Sequence, residues 1–473
     1  MNKRSWTLLI VLVVLAGLVG GYFILSRPKP AAASKAAAPV ELAKGDKDKL
    51  VKVLLTDRPE GTLTLQKTGK DWSLEPRPAA TVTLDASSVD DLASTFTSLA
   101  ADRVIDEKPA DLAQYGLQPP RSTATGTFSD GTSLTLYLGD KSPTGNSFYI
   151  QVKGDPRVFT VFSYTAERLH WKLSDLRSKA ISPAINYDEV TYVKVVQPDG
   201  TVVEVKEKTP DEVKSYQLGF GKYMLTRPFA YPRGLDSEKQ DPLVKGAQNI
   251  TIASFVEDEP RGLEKYGLAR PLAEVLVRDK TNTVDLLVGA RKDATETYFM
   301  VRGQPAVYTT ATSNLSFMST KPFDLVDKFI FIPNIEDVDR IEIVTARTVH
   351  VLAITRTTKK AEKQGEQDTV ESTYTVDGKS AEDSNFKKFY QSLIGLLVEG
   401  ETTHRVPDTP EVTVRFSLNK GTMRNVTLDY APYDRDFDAI FMNGVNVFAL
   451  TKQQLGGMLT RLDMLVKGEK VPD

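Results

Sequence analysis

Three stretches of the chain alternate apolar and polar residues with the period of a half-buried strand: 50–74, 190–208 and 338–357. Each reads as a hairpin, and Asp199-Gly200 marks the tight turn of the second. A helical period follows the first and third. Val89, Leu92, Phe96 and Leu99 fall on one helix face, as do Phe386, Phe389, Leu393 and Leu396–Leu397. The second copy is less regular, with residues 237–247 as its candidate helix.

The pattern continues as a repeat. STATGTFSDGTSLTLYLG (122–139) and AEVLVRDKTNTVDLLVG (273–289) both read as strand, polar turn, strand. FYIQVKGDPRVFTV (148–161) matches TYFMVRGQPAVYTT (297–310), and the Asp175-Leu176 and Asp324-Leu325 pairs close each copy 149 residues apart. A third copy runs through PEVTVRFSLNKGTMRNVTLDY (410–430), DAIFMNGVNVFALT (438–451) and a closing helix at 455–465. Strands outnumber helices and the turns are short, so antiparallel pairing is expected. The predicted fold class is α+β, three tandem antiparallel β-rich modules with packed helices. Expected bounds are 47–183, 184–333 and 334–473, with a long solvated hairpin tip at 358–372.

Two copies share one phrase, DLAQYGLQPP (111–120) and GLEKYGLARP (262–271). Asp111 can cap a single helical turn, with Gln114 completing a capping box. Gly116 then takes the position after the helix end, where φ is positive, and Pro119-Pro120 force extended chain. Gly262 and Gly267 take the cap and stop positions in the second copy. The phrase reads as a joint that aims a strand. The third copy has THRVPDTP (403–410) in its place.

The N-terminus carries a different signal. Residues 7–25, TLLIVLVVLAGLVGGYFIL, hold no charge over 19 positions, long enough to cross a bilayer as a helix and longer than the apolar core of a signal peptide. We read residues 1–25 as a single-pass anchor in contact with the lipid bilayer; the small residues at 31–33 leave cleavage as the alternative. Lys3 and Arg4 precede the span while Arg27 and Lys29 follow it, so flanking charge alone leaves its orientation open. Our default places the body on the extracytoplasmic side. Residues 26–46, rich in Ala, Pro and Lys, read as a tether.

At this point the chain resembles the bacterial domain-of-unknown-function family numbered 4340. The resemblance rests on the apolar N-terminal segment, Trp72, Leu74 and Pro76, the joint at 111–120, the Leu136–Gly139 hairpin end and Tyr149-Ile150. It covers most of residues 50–330 and extends more faintly beyond. It implies an auxiliary extracytoplasmic protein, since members are often encoded beside ABC-type transporter genes related to gliding motility, and it brings no catalytic residues. The third copy departs by lacking Tyr-Gly-Leu.

Composition narrows the chemistry. Sixty basic and 62 acidic residues are interspersed for a net charge of −2, so no basic face for nucleic acid is expected. The absence of cysteine excludes disulfides and thiolate sites. The three histidines, His170, His350 and His404, lie far apart. Neither a nucleophile elbow nor a phosphate loop occurs, and GFGK at 219–222 reads as a turn. Asp434, Asp436 and Asp438 begin like a calcium loop, but Ala439 and Val445 stand where that loop needs Gly and Glu. His170 beside Trp171, and His404 near Glu399 and Glu401, read as packed or surface groups. Arg103, Asp106, Glu107 and Lys108 read as a solvated helix end, and Asp90-Asp91 as first-turn helix carboxylates.

No catalytic, cofactor-binding or metal residue is therefore assigned, and no cofactor is expected. The sequence predicts a membrane-anchored, non-enzymatic protein of the cell membrane, an auxiliary subunit or scaffold whose partners are the membrane subunits of an ABC-type transporter. The alternatives are an envelope module binding glycan or another ligand, and an unrecognised envelope hydrolase.

Overall fold

The computed structural model describes residues 40–78, 82–360, 369–402, 409–421 and 423–472. The expected anchor (1–25), most of the tether, and His404 lie outside them. Among the described residues no helix is long and apolar enough to cross a membrane. The chain forms two compact units, divided between Ser178 and Lys179.

The first unit is built on an eight-stranded antiparallel sheet. In spatial order its strands are Asp71–Leu74, Leu63–Thr68, Leu50–Thr56, Ser122–Phe128, Ser133–Lys141, Ser147–Val152, Val158–Phe162 and Arg103–Asp106. The alternation that predicts the first hairpin turns Leu50, Val53, Leu55, Leu63 and Leu65 inward. A helix, Ala86–Ser94, covers that face and buries Val89 and Leu92, with Phe96 and Leu99 beyond its end. Its start is fixed by Asp85, whose side chain accepts from Ser88 N at 2.7 Å. Asp90 and Asp91 therefore stand past the first turn, which holds no acid. They pair instead with Lys47 and Arg168. Arg103–Asp106 is likewise no helix end. It forms the outermost strand, pairing with Val158–Phe162, and charged side chains suit such an edge.

The second unit holds two antiparallel sheets. One has nine strands: Arg233–Gly234, Tyr223–Arg227, Val202–Glu207, Tyr192–Val196, Ala273–Arg278, Thr283–Arg291, Glu296–Val301, Val307–Ala311 and Ser254–Glu257. The other has eight: Lys379–Ala381, Thr369–Val376, Val349–Lys359, Val338–Thr345, Val412–Leu418, Asn425–Pro432, Phe437–Met442 and Val445–Thr451. The expected hairpin tip is strand up to Lys359 and from Thr369 on, with 361–368 outside the described residues. One apolar core, from Val190 to Val471, runs through both sheets. Phe229 and Phe323 each set their rings 5.1 Å from Phe448, and Phe331 stands 5.3 Å from Phe416.

The three sheets follow one strand order. In each, the first hairpin extends to one side, and the later hairpins extend to the other. In the first two, the strand that precedes the joint crosses over to close the far edge. In the third, among the described residues, that edge carries a single bridge, Gly400 to Ala449. The closing helices differ in length. In the first two copies they shrink to the short turns Leu173–Leu176 and Pro322–Leu325, while Lys452–Lys467 is a 16-residue helix.

The joint is a 3-10 turn rather than a capped α-turn. Asp111 Oδ1 accepts from Ala113 N at 2.8 Å, but Gln114 Nε2 donates to the Asp111 carbonyl, so no capping box forms. In the second copy Leu263, not Gly262, holds the cap position. Gly116 and Gly267 end the turns at φ +64° and +67°. Each joint then presses on a glycine at a strand end: a Cβ on Gly139 would lie 2.2 Å from Tyr115 O, and one on Gly289 2.2 Å from Tyr266 O. Because a carbonyl cannot yield as a side chain tip can, Gly139→Ala should cost about 3 kcal/mol, against about 1 kcal/mol for Gly154→Ala. At Gly154 a Cβ meets open space. Urea denaturation of both variants checks this; equal midpoints would refute the contact's importance.

Candidate interaction surface

The most distinctive surface lies in the second unit, on the loop that follows Pro210–Ser215. That helix starts with a full capping box, Thr209 and Glu212, with Pro210 in its first turn. It stops at Tyr216, whose φ of +55° is the left-handed region that few side chains adopt. Glycines then let the chain pack closely. Gly219 has φ +78° and leaves no room for a Cβ against Asp327, while Gly221 abuts the Leu235 carbonyl. Gln217 ties the loop to the third sheet's turn, donating to Met423 O at 2.9 Å and accepting from Met423 N at 3.2 Å.

Two buried cations hold the backbone beneath. Lys208, only 5 % exposed, donates to Leu218 O at 2.6 Å and Gly219 O at 2.8 Å. Burial pulls its ammonium down to about 8, against the attraction of Asp327 and Glu212. Arg233 donates to Phe329 O at 3.0 Å and Ile330 O at 3.2 Å and lies over the Phe448 ring. Burial lowers it to about 10, and Asp327 opposes that.

On this base stand three aromatic rings. Phe220 is 64 % exposed and Tyr216 39 %. Their centroids are 5.6 Å apart, and Phe220 meets Phe329 edge-on at 5.9 Å. They border a cavity of about 440 Å³ walled mainly by Phe329, Ile332, Ile335, Tyr390 and Ile394. The Tyr390 hydroxyl is spent on Pro333 O at 2.6 Å, so it adds to the apolar wall. Across the helix Asp383–Ile394 lies a second cavity of about 620 Å³, where Leu396 and Met458 stand among polar side chains such as Gln391 and Gln454.

The residues singled out from sequence do not converge. Asp434 accepts from Asp436 N and Phe437 N, Asp436 pairs with the neighbouring Arg435, and Asp438 turns inward to Lys452. Among the described residues no group of His, Asp and Glu could hold a metal ion. His170 packs near Phe148 with Nδ1 buried and unbonded, and His350 Nδ1 lies 2.8 Å from Asp377 Oδ2. Glu399 accepts from Thr451 Oγ1, and Glu401 is exposed. GFGK is a turn as expected, but its exposed Phe220 was missed. The usable signal was a large aromatic between two glycines in a polar stretch.

Asp438 is 1 % exposed, and burial pushes its carboxyl up while Lys452, 2.9 Å away, opposes that. Lys452→Met should cost about 2–3 kcal/mol, less than a fully buried pair because Lys452 keeps some solvent. The double variant with Asp438→Leu should be more stable than Lys452→Met alone; chemical denaturation of the set decides. Burial lowers the His170 imidazole, with a smaller push from Arg121. The unfolded chain then takes up a proton that the folded chain resists. Stability present above about pH 6.5 should be lost as pH falls through the depressed native value. Between pH 7.5 and 5.5 the urea midpoint of the wild type should drop further than that of His170→Gln; parallel curves would exclude the effect.

No curated protein and no solved structure matches the chain. One family model matches it twice, over residues 75–220 and again over 224–410. These segments span well over half of the sequence, and the chain belongs to that family, described as a domain of unknown function (DUF4340).

Proposed function

We propose that this chain is a membrane-anchored, extracytoplasmic, non-enzymatic docking protein, an auxiliary subunit of an ABC-type transport system. In this reading residues 7–25 span the bilayer, three related modules follow, and the body carries no resident cofactor. The charge-free run at 7–25 supports the anchor. The shared strand order of the three sheets supports the modules.

The observation that carries the docking role is the Tyr216–Phe220–Phe329 cluster. Exposed rings are costly to solvate, and here they stand on a loop fixed by two glycines and two buried cations. Rigid aromatic anchors beside an apolar hollow are what protein interfaces concentrate at their centres.

The test is purification of the full-length chain in mild detergent followed by mass spectrometry. Membrane subunits of an ABC transporter should be recovered with the wild type and fall at least tenfold with Phe220→Ser, an exposed position whose change leaves folding nearly untouched. Repeated recovery with no transporter subunit would sink the proposal.

A further inference from the structure

We infer that the second sheet carries a binding site for a small apolar carboxylate; this goes beyond the docking role proposed above and does not depend on it. A cavity of about 320 Å³ opens between the strand residues Ala273, Val288 and Thr297 and the 3-10 run Thr312–Ser319. Leu272, Leu315 and Met318 give it apolar walls. Thr297 is buried, and its hydroxyl bonds that of Thr312 at 2.8 Å, so this pair is satisfied within itself. Arg291 is the one charged residue in the lining, and it is exposed at the rim. Among the described residues its guanidinium has neither an ion pair nor a hydrogen bond.

The first sheet shows how such a place is closed. Ser133–Lys141 and Thr283–Arg291 are equivalent strands, and Lys141 faces Phe148 across the ladder as Arg291 faces Thr297. Phe148 is buried, with the His170 ring 6.0 Å from it. Lys141 lies over the Phe148 ring at 5.4 Å and pairs with Glu167 at 3.6 Å. The second copy, in the same frame, has Thr297 for Phe148, Ser316 for Glu167 and Ser319 for His170. Ring, acid and imidazole are all exchanged for small hydroxyl side chains, while the cation is kept. The three replacements and Arg291 all line the cavity. In the third copy Asp438 takes the Thr297 position and is closed by Lys452 at 2.9 Å.

A ligand that completes the second copy therefore has two parts. Its apolar body takes the space that Phe148 fills in the first copy, and its carboxylate meets Arg291 where Glu167 meets Lys141. A guanidinium suits a carboxylate because its planar fork donates two parallel bonds. The cavity admits about ten non-hydrogen atoms, at roughly 30 Å³ each, a water's share of the liquid. Octanoate has that size and charge.

The probe is octanoate labelled with carbon-13 at its carboxyl, titrated against the full-length chain in mild detergent and followed by NMR. Micelles without protein are the blank, and octylammonium labelled at its first carbon is the charge control. Octanoate should bind, and Ser316→Glu, an exposed change that supplies the first copy's acid, should weaken it about tenfold or more, as should Arg291→Gln. Thr297→Phe should abolish binding by filling the cavity. Thermal unfolding checks that each variant is folded, and Ser316→Glu decides if Thr297→Phe is not. Phe220→Ser should leave octanoate binding unchanged; a loss there would place the ligand at the docking surface and overturn the inference. Equally tight binding of octylammonium, or octanoate binding indifferent to both Ser316→Glu and Arg291→Gln, overturns it too. So does a spectrum matching the blank up to about 5 mM octanoate.

Discussion

The contact between a tyrosine carbonyl and a glycine organises the first two sheets. In each, the chain must leave an outermost strand and return to the sheet's middle, and the Tyr-Gly-Leu turn makes that passage. Tyr115 O sits against Gly139 and Tyr266 O against Gly289, with no space for a Cβ at either glycine. The same tyrosines bind back to the strand just left, Tyr115 to Asp106 at 3.1 Å and Tyr266 to Glu257 at 2.5 Å. Their rings meet Tyr149 and Tyr298 edge-on at 5.1 and 5.0 Å. One residue thus ties the edge strand, the turn and a neighbouring strand. Steric exclusion supplies the close fit, and the two phenols, Tyr266 buried and Tyr115 half-buried, are pushed up chiefly by desolvation and remain donors to their carboxylates.

That organisation was largely legible. Alternation placed the hairpins because one face of each sheet is buried, and a one-residue slip would turn Val193, Val195, Val203 and Val205 outward. The stop glycines were legible because positive φ has few tenants. Three things were not. The charged run at 103–108 looked like a helix end because local charge carries no record of a pairing partner more than fifty residues on. Asp90-Asp91 was misplaced because Asp85, five residues earlier, is the actual cap. The core joining the second and third sheets was invisible because Phe229, Phe323 and Phe448 are far apart in sequence.

The candidate surface was illegible for a related reason. Lys208 and Arg233 read as ordinary surface cations in any window of sequence. Only the fold shows them drawn inward, each donating to two backbone carbonyls. Burying a cation is unfavourable unless its donors are met; here carbonyls, not carboxylates, accept two bonds from each, and Arg233 Nε is buried without a partner. The result is fixed backbone under exposed rings. Tyr216 in the left-handed region adds local strain at the same place. Coincidence of strain, buried charge and exposed aromatic surface on one loop is the pattern expected where a structure is held for a purpose other than its own stability.

The location of that surface follows from the shared core of the second unit. Gln217 reaches Met423 on the turn between Val412–Leu418 and Asn425–Pro432, and the apolar hollow draws walls from the 216–220 loop, from 329–335 and from the helix Asp383–Ile394. Neither sheet alone could form it. A third sheet that keeps the common strand order without the Tyr-Gly-Leu phrase, and with a single bridge at that edge among the described residues, is therefore not merely degraded. Its helix Asp383–Ile394 completes a hollow that the 216–220 loop begins, Phe448 packs beneath Arg233, and the core shared with the second sheet supports the third.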